Sequence, residues 1–151
     1  MKVRFARAAD KKYVLKLLDE IGNELNKKRG TKDSKNAQKQ GGTLFDEIVG
    51  RKDTMIFLAV DKEKIVGVAN FYLLPNIRHG WHRGHIEDFV VSGKMRRKGV
   101  GSVLMDAIKA YCMKNKIKVI KLDSGLELKE AHKFYEKHGG RHTEKMYRFD
   151  L

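Results

Sequence analysis

The chain has 151 residues, 41% of them hydrophobic, and carries 33 Lys and Arg against 19 Asp and Glu, a formal net charge of +14. That length fits one domain with a real core, in a composition ordinary for a soluble globular protein. No apolar run is long enough to cross a bilayer and the N-terminus lacks a signal-peptide core, so a membrane partner is not expected.

The positive excess is dispersed, with local clusters at 27–29 and 96–98. It describes a lysine-rich surface better than a nucleic-acid footprint. The single cysteine, Cys112, has no internal partner, which fits a reducing, cytoplasmic compartment. Its place in a helical pattern reads as a packed thiol and not as a nucleophile.

In chain order, residues 2–7 form a short strand with Val3 and Phe5 on one face. Asp10 is placed to cap a helix carrying Val14, Leu17, Leu18, Ile21 and Leu25 at helical spacing. Residues 26–43 are polar and read as a mobile loop with room for a helical turn, followed by a second short helix around 44–49. Residues 54–60 and 65–74 predict two strands joined by a charged turn at 61–64, and Pro75 ends the second.

Residues 76–84 then read as a loop holding His79, Trp81 and His82. With His85 these histidines are spaced by three. Along a loop and strand start that spacing keeps no common face, so a metal is not expected.

Residues 86–91 are a strand, 92–98 a basic turn, and from Gly99 the period becomes helical through Val100, Val103, Leu104, Ala107, Ile108 and Tyr111. A fifth strand at 118–122, a helix at 130–138 ended by Gly139 and Gly140, and a last strand at 143–150 complete the chain.

The strand, basic glycine turn and helix start coincide in a way that suits an anion. The first N–H groups of a helix lack internal partners and the macrodipole is positive there. Gly99 and Gly101 let the backbone approach a phosphate, while Arg96, Arg97 and Lys98 add charge. The spacing is not that of a Walker loop, and Leu104 stands where a dinucleotide fingerprint needs its third glycine.

Arg96-Arg97-Lys98-Gly99-Val100-Gly101 resembles the R/Q-x-x-G-x-G/A signature of the GNAT superfamily of acetyl-CoA-dependent N-acetyltransferases. The resemblance implies an α/β (α+β) fold over residues 1–151 as a single domain. Its single mixed, mostly antiparallel sheet would have about six to seven strands, be flanked by about four helices, and splay at the central strand. Residues 86–91 would be that strand, with Phe89, Val90 and Val91 beside coenzyme A. Arg96, Arg97, Lys98, Gly99, Val100, Gly101 and Ser102 would hold its pyrophosphate. Residues 26–49 occupy the region that borders the acceptor site in that family.

AHKFYEKHGG, 131–140, resembles the second family marker, A-x-x-F-Y-x-x-x-G-F, and puts Tyr135 on the tyrosine that protonates the departing thiolate. IEDFVV resembles LEDFFV of the spermidine/spermine branch, which makes Glu87 the base, acting through water. Asp88 faces the other side of an ideal strand and takes that place if a bulge shifts the register. Leu128 stands where the family often has a pantetheine-binding asparagine, and Gly140 where it has phenylalanine.

The implied activity is transfer of the acetyl group of acetyl-CoA to a primary amine by direct attack in a ternary complex, without a metal. The acceptor is a small molecule or a peptide or protein, and a homodimer is compatible with this reading. Two alternatives stay open: a basic nucleic-acid- or ribosome-associated module, and a non-catalytic acyl-CoA sensor.

Overall fold

The structure, a computed structural model, describes residues 1–32 and 37–151. Among the described residues, five strands form one sheet in the order β1-β2-β3-β4-β5, accompanied by four α-helices. The chain divides into two compact units, Met1–Lys121 and Leu122–Leu151.

In the first unit β1 (Lys2–Phe5), β2 (Thr54–Asp61), β3 (Lys64–Asn76) and β4 (Trp81–Val91) pair antiparallel in succession. Then α3 (Val100–Lys114) carries the chain to β5 (Ile120–Leu122). A helical crossover is the connection that sets two strands parallel, so the sheet is mixed.

Period-two alternation sorts the side chains. Ile56, Leu58, Val60, Val68 and Val90 face Val14 and Leu17 of α1 (Lys11–Arg29) and Phe45 of α2 (Ala37–Ile48). On the opposite face α3 packs through Tyr111, whose ring meets Phe5, Phe57 and Phe71 edge-on at 5.7–6.0 Å. Edge-to-face contacts of this kind are the favoured aromatic geometry. The start of α3 sits close on the sheet at Gly67, where an added Cβ would lie 2.9 Å from Leu104 and 3.0 Å from Val100.

Several expectations need correction. Asp10 does not cap α1 with its side chain; its carboxylate accepts from both terminal nitrogens of the Arg4 guanidinium at 2.7 Å and from the Arg7 N–H at 2.8 Å. The expected loop at 26–43 is partly helical, since α1 runs to Arg29 and α2 begins at Ala37, while 33–36 lie outside the described residues. Gly41 and Gly42, within that expected loop, turn a side-chain-free face to Leu15 and Lys11 of α1.

Pro75 does not end β3. It pairs with His82, beyond the point where β2 begins opposite Tyr72, so no β2 partner needs its missing N–H. The expected loop 76–84 is therefore mostly hairpin, closed by a 3-10 turn at Ile77–His79. The 61–64 turn holds, with Lys62 and Glu63 both left-handed.

The second unit contains α4 (Lys129–Lys137), ended by left-handed Gly139 and a Gly140 N–H to Tyr135 carbonyl bond of 2.8 Å. Residues 143–150 form no strand; Met146, Tyr147 and Phe149 stand exposed, and the strand count is accordingly five against the six to seven expected. Alternating hydrophobicity creates a strand only where a sheet edge accepts it.

Candidate active site

One irregularity in the β3–β4 ladder shapes the site. Asn70 pairs with Asp88, but the next residue, Phe71, pairs with Ile86. Glu87 is the extra residue of a β-bulge. An unbroken strand would send Glu87 and Asp88 to opposite faces; with the bulge, both line the same cavity.

That cavity measures about 580 Å³ and lies between β3–β4 and the α1–α2 pair. Its helical walls are apolar, with Leu15, Leu18, Leu44, Phe45 and Ile48. Its sheet wall carries Asn70, Tyr72, His85, Glu87 and Asp88. Among the described residues no lysine or arginine lines it, in a chain of net charge +14.

Within this wall, His85 Nε2 lies 3.2 Å from Glu87 Oε2, and Glu87 is largely exposed to the opening. Asp88 is deeper. Burial, with the Glu87 carboxylate beside it, holds its carboxyl above the usual aspartate range against the pull of the Asn70 amide. The Tyr72 phenol is also raised, by burial first and then by the charges of Asp88 and Glu87.

Asn70 is 7% exposed and donates from Nδ2 to Asp88 Oδ2 at 2.6 Å. A carboxylate only accepts, so the amide nitrogen must face Asp88, and Oδ1 is left buried without a partner. Sequence reasoning passed over Asn70. The signal was there: it is the polar member of the face Val66, Val68, Asn70, Tyr72 in an otherwise apolar run.

Three residues beyond Asp88, β4 ends at Val91, and the chain enters the basic turn through a 3-10 turn, Gly93–Met95. Arg97 and Gly99 both take left-handed conformations, φ 62° and 80°, before α3 begins at Val100. At Gly99 an added Cβ would meet nothing within 4 Å, so glycine serves the backbone there and not the packing. The first N–H groups of α3, at Val100, Gly101 and Ser102, have no carbonyl a turn below and no side-chain cap.

Arg96 turns away from this helix start. Its guanidinium grips Glu24 of α1 through two bonds of 2.6 and 3.1 Å and reaches the Val91 carbonyl at 3.3 Å. Arg97 and Lys98 are exposed beside it.

Of the residues singled out from the sequence, the structure gathers Glu87, Phe89, Val90, Val91 and the run 96–102 within the first unit. Tyr135 lies on α4 of the second. There Phe134 meets it edge-on at 5.5 Å, and burial raises its phenol, which keeps the proton on at neutral pH. His79 stacks on Trp81 at 5.4 Å, and among the described residues no three potential metal ligands converge.

Residues 18–140 match the acetyltransferase (GNAT) family. The chain belongs to that family. Over 100 residues it is 38% identical to glucosamine 6-phosphate N-acetyltransferase of Trypanosoma brucei brucei, covering 65% of this chain and 65% of that one. Over 91 residues it is 30% identical to the uncharacterized N-acetyltransferase YhdJ of Bacillus subtilis (strain 168), covering 60% of this chain and 63% of the relative. The chain thus spans just under two thirds of the length of both. The BH1408 protein of Bacillus halodurans, solved as a tetramutant, shares the fold with a TM-score of 0.86 at 23% identity over 100% of each chain.

In this member of the GNAT family Cys112 is 3% exposed, and burial pushes its thiol up to about 11. It is a packed, protonated side chain of α3. Among the described residues no helix is long and apolar enough to cross a membrane.

Proposed function

We propose that this chain transfers the acetyl group of acetyl-CoA to a primary amine by direct attack in a ternary complex. The observation that carries the reading is the course of β4. One strand runs from an acid-lined cavity into an anion-ready helix start, with Asp88 and Val91 about 10 Å apart along it.

The donor site suits a diphosphate: Arg97 and Gly99 are left-handed, α3 contributes its unpaired first turn, and the space around Gly99 is open. Val100, Gly101 and Ser102 would hold the diphosphate through main-chain N–H groups. Arg97 and Lys98 would add charge, and Phe89–Val91 would border the thioester arm. Arg96 braces the loop against α1 through Glu24. Acetyl-CoA, when bound, supplies an acyl group already activated as a thioester.

An alkylamine with a pKa near 10.4 is roughly 99.9% protonated at pH 7, so exposing its lone pair costs about 4–5 kcal/mol. Glu87 takes that proton through water. Asp88, brought to the same cavity by the bulge and poised above its ordinary range, is the second candidate for that step. A main-chain N–H of β4 supports the charge that develops on the carbonyl oxygen. Tyr135, protonated at neutral pH, gives its proton to the leaving sulfur; its role rests on its place in the second marker motif. Direct attack agrees with Cys112 being buried and protonated.

The test is acetyl-CoA turnover over an amine panel with Glu87→Gln, Asp88→Asn and Tyr135→Phe alongside. Loss of a general acid or base lowers kcat by about 10²–10⁴. Unchanged turnover in Tyr135→Phe, or in both carboxylate variants, removes the corresponding role.

A further inference from the structure

We infer that the acceptor is a primary aliphatic amine that enters as an ammonium ion on a hydrocarbon body and carries no anionic group. The inference rests on the acetyl-transfer reading and goes further, because the cavity wall itself selects among amines.

Two carboxylates, Glu87 and Asp88, stand side by side on the sheet wall, and no lysine or arginine among the described residues lines the cavity to offset them. A phosphate or carboxylate there would meet like charge in a partly desolvated space, where such repulsion is far larger than in bulk water. On the same wall, the buried Asn70 Oδ1 lacks a donor. An ammonium has three N–H groups and no acceptor, so it satisfies two carboxylates and one amide oxygen together. Tyr72 and His85 are the other polar side chains of the sheet wall, and the helical walls, Leu15, Leu18, Leu44, Phe45 and Ile48, offer hydrocarbon and nothing that hydrogen-bonds from a side chain. They suit an alkyl chain better than a ring of hydroxyl groups.

This separates the chain from its Trypanosoma brucei brucei relative, whose name specifies a sugar phosphate. A phosphorylated acceptor calls for lysine or arginine in the wall.

The experiment compares n-hexylamine with 6-aminohexanoate, equal in length and differing by one carboxylate, and adds glucosamine 6-phosphate. Each is measured twice: for acetylation with acetyl-CoA, and for binding by calorimetry with coenzyme A present. Hexylamine is expected to exceed both anionic amines by at least about tenfold in kcat/KM and in affinity. Leu44→Lys places a cation in the wall at a position 55% exposed, where the fold tolerates it, and should narrow the gap to 6-aminohexanoate.

Equal or better use of either anionic amine overturns the inference while acetyl transfer stands. Selective binding of hexylammonium without turnover supports the inference and sinks the acetyl-transfer reading. Absence of both binding and turnover for all three overturns both.

Discussion

At the scale of single residues, the pair Arg96–Glu24 shows how a signature residue can serve the loop without pointing into it. Arg96, helped by Lys28, holds the Glu24 carboxyl down at about 2 from its ordinary 4.5. A carboxyl lowered on folding stabilises the folded state above its unfolded value, and that contribution is lost as pH falls through the folded one. The stability advantage of the natural chain over Glu24→Gln should therefore be constant from pH 7 to about 5. It should shrink below pH 4.5 and approach zero near pH 2, in urea melts at each pH. An advantage unchanged at pH 2.5 would deny the pairing.

Residue identity also shows what the sequence could convey. The glycine loop, the strand before it and the helix after it were legible because charge, lack of Cβ and a change of period coincide within a dozen positions. Glu87 and Asp88 were legible as residues but not as a pair. Only the offset between Asn70–Asp88 and Phe71–Ile86 puts them on one wall, and a bulge leaves no mark in the identity of the residues it displaces.

Among elements, α3 matters most, since its first turn is the proposed donor site. Its seat depends on Gly67 of β3. A Cβ there would press on Leu104, Val100 and the Val90 carbonyl at 2.9–3.2 Å, all of them buried. Gly67→Ala should cost about 1–3 kcal/mol of stability through overpacking. Because the clash falls at the start of α3, Gly67→Ala should also weaken acetyl-CoA binding by calorimetry, and an unchanged Kd would detach the seat of α3 from the proposed donor site. At Gly99 the cost is backbone strain alone, about 1 kcal/mol.

Element boundaries were the least legible level. Gly41-Gly42 suggests a break unless Leu15 is known to fill the space above it, and Pro75 suggests a strand end unless β2 is known to stop short. Both are tertiary facts that override local preference.

For the whole molecule, the contrast is between a net charge of +14 and a cavity wall bearing two carboxylates. The long-range field favours an anionic donor such as acetyl-CoA and opposes a cationic acceptor, while the cavity acts on the acceptor only at close range. Salt should therefore separate the two substrates. Between about 0.05 and 0.5 M NaCl the Kd for acetyl-CoA should rise several-fold. The KM for hexylamine should change by less than about twofold, as its distant repulsion and local attraction are screened together. A larger change for the amine than for acetyl-CoA would reverse this picture.

The proline in β3 has a protective consequence. Leu73 is the last residue of the strand whose N–H reaches across to the Asp53 carbonyl, and two residues on, Pro75 faces the same open side. A stranger's strand creeping along this border to extend the ladder would find no hydrogen to bond at the very next rung. The overhanging ribbon is thus sealed against unwanted stacking of one copy on another, by an atom the residue does not have.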